Sequence, residues 1–305
     1  MCIHIQAAHG ADRTKSMARV AGQAAQNGPM LDRIIAKSND DLRQEVFTMQ
    51  LMQFLKDVWA GAKLPLYLRT YRILSTSKDT GLLEVITNAD SLDGVKKKLG
   101  PGVRLIQKFK ELFPQEAAFA KAQREYMQSL AGSSMASYIL RTGDRHNGNI
   151  MLELETGRLA HIDFGFVMGM RPGKDKVPYT DFSFERAPWK ITSEMIEIIG
   201  GKGSPMWEEY VKLMADGLIA VRKQSETLLT LIEITGYRSM FPCFRQPGGG
   251  VARVLRELRQ RLMLGVPDEK IHERVRTLAD TSYQHVRFCF SVTYVELDVK
   301  KLTSR

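Results

Sequence analysis

Two short stretches hold most of the polar chemistry in this sequence. GDRHNGNIML, starting at Gly143, sets Asp144, Arg145, His146 and Asn149 within seven residues, and HIDFGF, starting at His161, adds a second histidine and Asp163. Polar density of this kind costs free energy to bury and is seldom assembled for packing alone. Asn149 follows Asp144 by five positions, and Asp163 stands directly before Phe164 and Gly165. Hard oxygen donors suit Mg²⁺, which keeps several waters and takes one or two protein oxygens beside substrate phosphates. The chemistry such residues allow is phosphoryl transfer, for which a protein supplies mainly position and positive charge. Asp144 would orient an attacking hydroxyl, and Asn149 and Asp163 would hold the metal. His146 offers a further base, and Arg145 a counter-charge.

A DFG triplet alone would carry little weight. Its pairing with an Asp/Asn loop, in the right order and across a β-hairpin, is far more specific. The elements that must position these residues are legible around them. NIMLELE and RLAHIDF read as two strands joined by a Thr-Gly turn, and the preceding PQEAAFAKAQREYMQSLAGSSMASYIL as one long helix. Further upstream, RIIAKS reads as a strand and DDLRQEVFTMQLMQFLKDVWAGAK as a helix with Leu42, Val46, Met49, Phe54 and Val58 as its apolar stripe and Gly61 as its stop. LPLYLRTYRILSTS and GLLEVIT read as strands. Downstream, SPMWEEYVKLMADGLIAVRKQSETLLTLIEITG reads as one helical run, capped by Ser204 with Pro205 at its first position. GVARVLRELRQRLMLG and PDEKIHERVRTLADTSYQH follow as helices, and RFCFSVTYVEL alternates like a strand. There is no internal repeat. A β-rich first part and a mainly helical second part predict two lobes with a ligand cleft between them.

Composition sets outer bounds. The 305 residues are 44% apolar, with 44 Lys and Arg against 34 Asp and Glu, a net charge of +10. That excess suits an anionic partner such as a nucleotide or a phospholipid surface. A nucleic-acid partner would rest on charge alone and is not expected. Three scattered cysteines, Cys2, Cys243 and Cys289, argue against a disulfide framework or a zinc site and for a reducing compartment. No apolar run is long enough to span a membrane, and MCIHIQAAHGADRTK lacks a signal-peptide core. Membrane contact is therefore expected to be peripheral and from the cytoplasmic side.

GDRHNGNIML with HIDFGF has the order Asp-Arg-His rather than His-Arg-Asp, and in this it resembles the phosphatidylinositol 3-/4-kinase superfamily. IIAKSNDDLRQE, GLLEVIT, GLIAVRK and PCF extend the resemblance over about residues 33–245. DDLRQE, the Gly pair after EMIEII, DGLIAVRK and FPCF resemble most the type III beta 4-kinases. The resemblance implies an α+β, two-lobed, protein-kinase-like fold, with a smaller β-rich N-lobe over 31–90 and a mainly helical C-lobe over 91–305, after a weakly patterned segment 1–30. It implies transfer of the γ-phosphate of ATP, with Mg²⁺, to the 4-hydroxyl of phosphatidylinositol. A 3-kinase, or a scaffold that binds nucleotide without turnover, is the alternative. The setting it implies is the cytosolic face of membranes such as the Golgi, with regulatory protein partners. The helical and regulatory regions that usually precede the catalytic unit are expected to be missing here.

Residue by residue, the resemblance implies that Lys37 grips the ATP phosphates and that Glu45 is its acidic partner. Glu84, Val85 and Ile86 correspond to the hinge that receives adenine, Tyr71 to the inner pocket, and Met151 and Ile162 to the apolar floor. Asp144, Arg145, His146 and Asn149 correspond to the catalytic loop, Asp163 to the metal carboxylate. Spacing leaves open whether Asp144 or His146 takes the proton, and the resemblance favours His146. His161 is expected to be a structural hydrogen bonder. Phe166 to Lys190 would be the loop that reads the lipid head, with Arg171, Lys174, Lys176, Arg186 and Lys190 against three acids. So mild an excess favours an unphosphorylated head group. Tyr179, Phe182, Phe184 and Trp189 could face the membrane or pack onto the lobe. Lys96–Lys98 could touch anionic lipid, whereas Arg253, Arg256 and Arg259 read as a solvated helix face. Three features depart from the family pattern: AGQAAQNGPMLDR is a poor phosphate loop, Asn39 replaces the usual Gly, and FCFSVTYV has strand periodicity where a helix is expected.

Overall fold

In a computed structural model, which describes residues 5–7, 33–100, 102–170, 187–246 and 249–284, the apolar patterning resolves into two small sheets and a set of helices. β1 (Ile5–Ala7) lies parallel to β2 (Ile34–Ser38). α1 (Arg43–Gly61) follows, then β3 (Ile73–Ser75) and β4 (Thr80–Glu84), giving a four-stranded sheet in the order β1-β2-β4-β3. Residues 85–88 then cross to a second sheet. There β5 (Ala89–Ser91), β6 (Ile150–Glu153) and β7 (Leu159–His161) pair antiparallel in sequence order.

The remainder is mostly helical. Between β5 and β6 lie α2 (Leu92–Leu99), α3 (Leu105–Leu112) and α4 (Glu116–Leu140). After β7 come α5 (Ser193–Ile198), α6 (Pro205–Arg222), α7 (Ser225–Gly236), α8 (Gly250–Arg261) and α9 (Ile271–Gln284). Local chemistry starts several of these. The hydroxyls of Ser91, Thr192 and Ser204 accept from the amides of Gly94, Met195 and Trp207 at 3.0, 3.2 and 3.1 Å, so each satisfies an orphan donor of a first turn.

α4 is the central post. Every residue from Ser129 to Leu140 is buried, as expected of a helix surrounded on all sides. Its small residues let other backbone come close. Tyr67 donates its amide to Gln128 O at 3.2 Å, and a Cβ on Gly132 would stand 2.1 Å from Tyr67 O. The stretch 64–72, expected as strand, therefore runs as irregular chain over α4, and only Ile73–Ser75 joins the sheet.

Other expectations shift for similar reasons. The helical run after Ser204 breaks at Lys223–Gln224, where Gln224 donates to Val221 O at 3.0 Å and the chain turns without Gly or Pro. The turn is held because Arg222 donates to the carbonyls of Leu262, Met263 and Val266. On α1, Leu42 and Met49 are buried as expected, while Val46, Phe54 and Val58 are half-buried. The buried face instead runs through Gln44, Thr48, Leu51, Leu55 and Trp59, with Trp59 Nε1 donating to Gly217 O of α6 at 3.1 Å. The phosphate-loop stretch before Arg33 and the C-terminal tail lie outside the described residues.

Gly132→Ala should force Tyr67 off α4 and cost about 1–3 kcal/mol. A lowered urea midpoint with an unchanged slope is the expected result.

Candidate active site

The two motifs meet side by side because β6 and β7 are neighbouring strands. Ile150 pairs with His161, and beyond the ladder Ile162 donates its amide to Asn149 O at 3.1 Å. Gly143 donates to Phe166 O at 2.7 Å. Arg145 completes the join from within. Its Nε donates to Gly143 O at 2.9 Å, Nη1 to Ile162 O at 2.7 Å, and Nη2 to Asp163 O, with the guanidinium 4.8 Å from the Phe164 ring centre. The counter-charge expected of Arg145 is thus turned inward onto main-chain carbonyls, and it acts as a positioning group.

A second set of groups holds the same segment from α1 and from the irregular chain at Tyr71. The Tyr71 hydroxyl donates to Glu45 Oε1 at 2.5 Å and accepts from the Asp163 amide at 3.2 Å. The Phe164 amide donates to Glu45 at 3.3 Å. Gln44 donates to Gly165 O at 2.7 Å and accepts from the Cys243 amide at 2.8 Å. Asp163 takes a left-handed backbone, φ 60°, which costs a non-glycine residue about 1–2 kcal/mol and persists because the segment is held on both sides.

The donor set fits a hard divalent cation. Asn149 is buried, and its Nδ2 donates to Asp144 O at 3.0 Å, leaving Oδ1 as a free oxygen donor. The Asp163 carboxylate is exposed, with only a long contact at 3.4 Å from the Gly165 amide.

Lys37, on β2, places its ammonium 3.2 Å from Asp40, while Glu45 is engaged by Tyr71 and Phe164. The expected Lys37–Glu45 pair is therefore a relation through the field. Burial lowers the lysine pKa, but Glu45, Asp163 and Asp40 together outweigh it, and the net shift is upward. Burial pushes the Glu45 carboxyl up, opposed by the Tyr71 hydrogen bond and by Lys37.

His146 is exposed, and its Nδ1 accepts from the Gly148 amide at 3.0 Å. The neutral ring then carries its proton on Nε2, so its outer edge is a donor. His161 is buried, and with Arg145 adding to that effect its pKa is pushed down to about 3. It stays neutral at physiological pH, and its Nε2 has no hydrogen-bond partner, contrary to the structural bond expected of it.

At the hinge, the amides of Glu84 and Val85 donate to Arg72 O and Arg33 O, both at 2.9 Å. Of the three hinge amides, that of Ile86 has no partner among the described residues. Met151 and Ile162 are half-buried, Met151 on the face of β6 opposite Ile150 and Leu152. Asn39, where glycine was expected, has φ 61°, a conformation that Asn tolerates better than most side chains.

A model of the family described as phosphatidylinositol 3- and 4-kinase matches residues 33–245. The chain belongs to the phosphatidylinositol 3- and 4-kinase family. The chain is 35% identical to phosphatidylinositol 4-kinase beta of Xenopus tropicalis over 259 residues, 83% of this chain and 30% of that protein. It is 36% identical to phosphatidylinositol 4-kinase of Dictyostelium discoideum over 256 residues, covering 83% and 21%, and 34% identical to phosphatidylinositol 4-kinase beta of Rattus norvegicus over 255, covering 83% and 29%. The chain thus spans less than a third of the length of these relatives. Family membership accords with the α+β architecture of small sheets followed by a mostly helical remainder.

The loop expected to read the substrate is only partly within the described residues. Arg171, Lys174, Lys176 and Arg186 lie outside them, as do Tyr179, Phe182 and Phe184. Lys190 is half-buried. Trp189 packs inward, with Nε1 donating to Tyr210 Oη at 3.1 Å and its ring edge-on to Tyr138. Lys96, Lys97 and Lys98 are paired with Glu194, Asp93 and Asp90. Arg253 is not on a solvated face; it donates to Met168 O and Cys243 O. Gln44 and the Tyr71 hydroxyl are the positioning groups that sequence reasoning missed. The adjacent Gln44-Glu45 pair in the first turn of an amphipathic helix was the available signal.

Arg145→Lys keeps the charge but cannot bridge three divergent carbonyls, and should cost about 2–3 kcal/mol in urea unfolding. Gln44→Glu keeps the acceptor for Cys243 but sets a carboxylate against Gly165 O. Nucleotide affinity, measured by calorimetry, should fall more in Gln44→Glu than in Gln44→Met, which removes both bonds without adding a charge.

Proposed function

We propose that the chain is a phosphatidylinositol 4-kinase catalytic unit. It transfers the γ-phosphate of ATP to the 4-hydroxyl of phosphatidylinositol, at the cytosolic face of membranes such as the Golgi. The observation that carries the reading is that the Asp144–Asn149 loop is bonded beside the Asp163 segment, and Asp163 lies near enough to Lys37 to act on its charge, in a member of this family. The acceptor and its position rest on the relatives named phosphatidylinositol 4-kinase.

The electrostatics support a metal-assisted site. Asp40, Glu45 and Asp163 all act on one lysine, so the cleft carries an excess of negative charge that would repel a triphosphate. When bound, Mg²⁺ supplies the compensating charge on the phosphates, and Asn149 Oδ1 with the Asp163 carboxylate would hold it. Lys37 holds the α- and β-phosphates. The Ile86 amide donates to the purine, whose faces meet Met151 and Ile162. His146, with Nδ1 occupied by Gly148, presents Nε2–H as a donor to a phosphoryl oxygen. Asp144 is then the group that accepts the hydroxyl proton, because a proton taken by the imidazole would cost the Gly148 bond.

No described helix is long and apolar enough to cross a membrane, which accords with peripheral attachment. Phosphatidylinositol is the lipid partner, and regulatory proteins are expected beside it.

Asp163→Ala should abolish phosphorylation of phosphatidylinositol vesicles while the melting temperature is kept. Wild-type turnover in that variant would overturn the assignment. Lys37→Met should suppress turnover strongly. Chromatography of the deacylated product should give the 4-phosphate, and a 3-phosphate would assign a 3-kinase instead.

A further inference from the structure

The described residues include six exposed large hydrophobics, and four of them, Leu231, Ile234, Tyr237 and Met240, fall within ten positions. Ile234, Tyr237 and Met240 are 69, 71 and 61% exposed. α7 buries Leu228, Leu229 and Ile232 against the core, so Leu231 and Ile234 form a separate outward stripe. Tyr237 extends it, since its amide donates to Glu233 O at 3.0 Å and continues the helical turn. The acidic residues of this helix, Glu226 and Glu233, stand roughly 80–100° around the axis from the middle of the stripe, and Glu233, four residues before Tyr237, borders its end.

Charge complements the stripe. The Arg238 guanidinium lies 5.3 Å from the Tyr237 ring centre, and Arg245 is exposed beyond the next turn. Neither has a carboxylate partner among the described residues, whereas Lys96, Lys97, Lys98, Arg104 and Arg124 are all paired. Apolar and aromatic tips flanked by unpaired arginines suit the boundary between lipid head groups and acyl chains.

The mounting is rigid and leads to the reactive segment. Phe241 and Phe244 pack on Phe47 of α1 with ring centres 5.9 Å apart in each case. The Cys243 amide is held by Gln44, and the Gln44 side chain in turn holds Gly165, two residues from Asp163. A surface seated on the stripe is thus at a fixed place relative to the carboxylate that would hold metal.

We propose that Leu231, Ile234, Tyr237 and Met240, with Arg238 and Arg245, dock this chain onto an anionic bilayer. The proposal rests on the lipid-kinase reading above, because a membrane-bound acceptor must reach the Asp163 segment. Four apolar side chains and two arginines give reversible contact, weakened by salt as charges at a surface are screened.

The test uses the full chain and flotation with vesicles of phosphatidylcholine, phosphatidylserine and phosphatidylinositol. The triple variant Ile234→Ser, Tyr237→Ser, Met240→Ser should keep its melting temperature, since the side chains are exposed. Its vesicle affinity should fall at least about tenfold, equivalent to about 1.4 kcal/mol. Arg238→Gln with Arg245→Gln should remove most of the salt dependence. Turnover on vesicles should fall with affinity, while turnover on monomeric short-chain phosphatidylinositol should not change. Equal vesicle binding by wild type and triple variant, or no binding by the wild type, overturns the proposal. So does a triple variant whose lipid-free sedimentation coefficient drops, which would assign the stripe to a protein interface. If the wild type phosphorylates neither lipid form, the kinase reading fails, and the binding comparison still decides the surface.

Discussion

The backbone from Ile162 to Phe166 is held almost atom by atom, and the rest of the site depends on that. Ile162 N–H goes to Asn149 O, and the carbonyls of Ile162 and Asp163 to Arg145. The amides of Asp163 and Phe164 go to Tyr71 and Glu45, Gly165 O to Gln44, and Phe166 O to the Gly143 amide. Buried main-chain groups must be paired, and here the partners come from three separate parts of the chain. The result is a left-handed Asp163 whose carboxylate is fixed in direction yet free of strong partners. A carboxylate held in this way is available to an incoming cation.

Arg145 and Glu45 both show how a charged side chain is diverted from ligand to framework. Arg145 is only 4% exposed, so its charge is stabilised by three carbonyl dipoles and a ring face rather than by water. Glu45, also 4% exposed, accepts from a phenol and an amide, and both bonds oppose the upward push of burial on its pKa. Each would be costly to bury alone and is satisfied only because the other elements are in place. Among the described residues, Lys37 is a basic group on which Glu45, Asp163 and Asp40 all act, an acidic surrounding in which a polyphosphate would need a cation beside it.

The same segment is tied outward to the helical part. Arg253 of α8 donates to both Met168 O and Cys243 O, and Arg141, Arg253 and Arg261 share Glu257. Burial, with Arg141 and Arg253 nearby, pulls Arg261 down to about 10, still charged at physiological pH. Three guanidiniums around one carboxylate therefore join the end of α4, the chain after Phe164 and the turn at Cys243. The exposed stripe on α7 precedes the Cys243 turn of this junction in the chain.

The sequence by itself determined several long helices and pointed to the chemistry. Asp144, Asn149 and Asp163 at their spacing point to metal-assisted phosphoryl transfer, since few other reactions need those oxygens in that order. α8 and α9 were legible because apolar periodicity over many residues is a local property of the chain, and α4 because its long run is rich in helix formers without Pro. Short elements were not: β5 has three residues, and its strand character comes wholly from pairing with β6. The stretch 64–72 has strand propensity, but close approach to Gly132 on α4 overrides it. Only the tertiary structure decided that Arg145 holds carbonyls, that Gln44 and Tyr71 position Asp163, and that the His146 outer edge is a donor. Gln44 and Tyr71 depend on backbone groups that arrive from 92 to 199 residues away and leave no mark on local spacing, while the nearer partners of Arg145 and His146 are set by loop conformation, which residue types alone do not reveal.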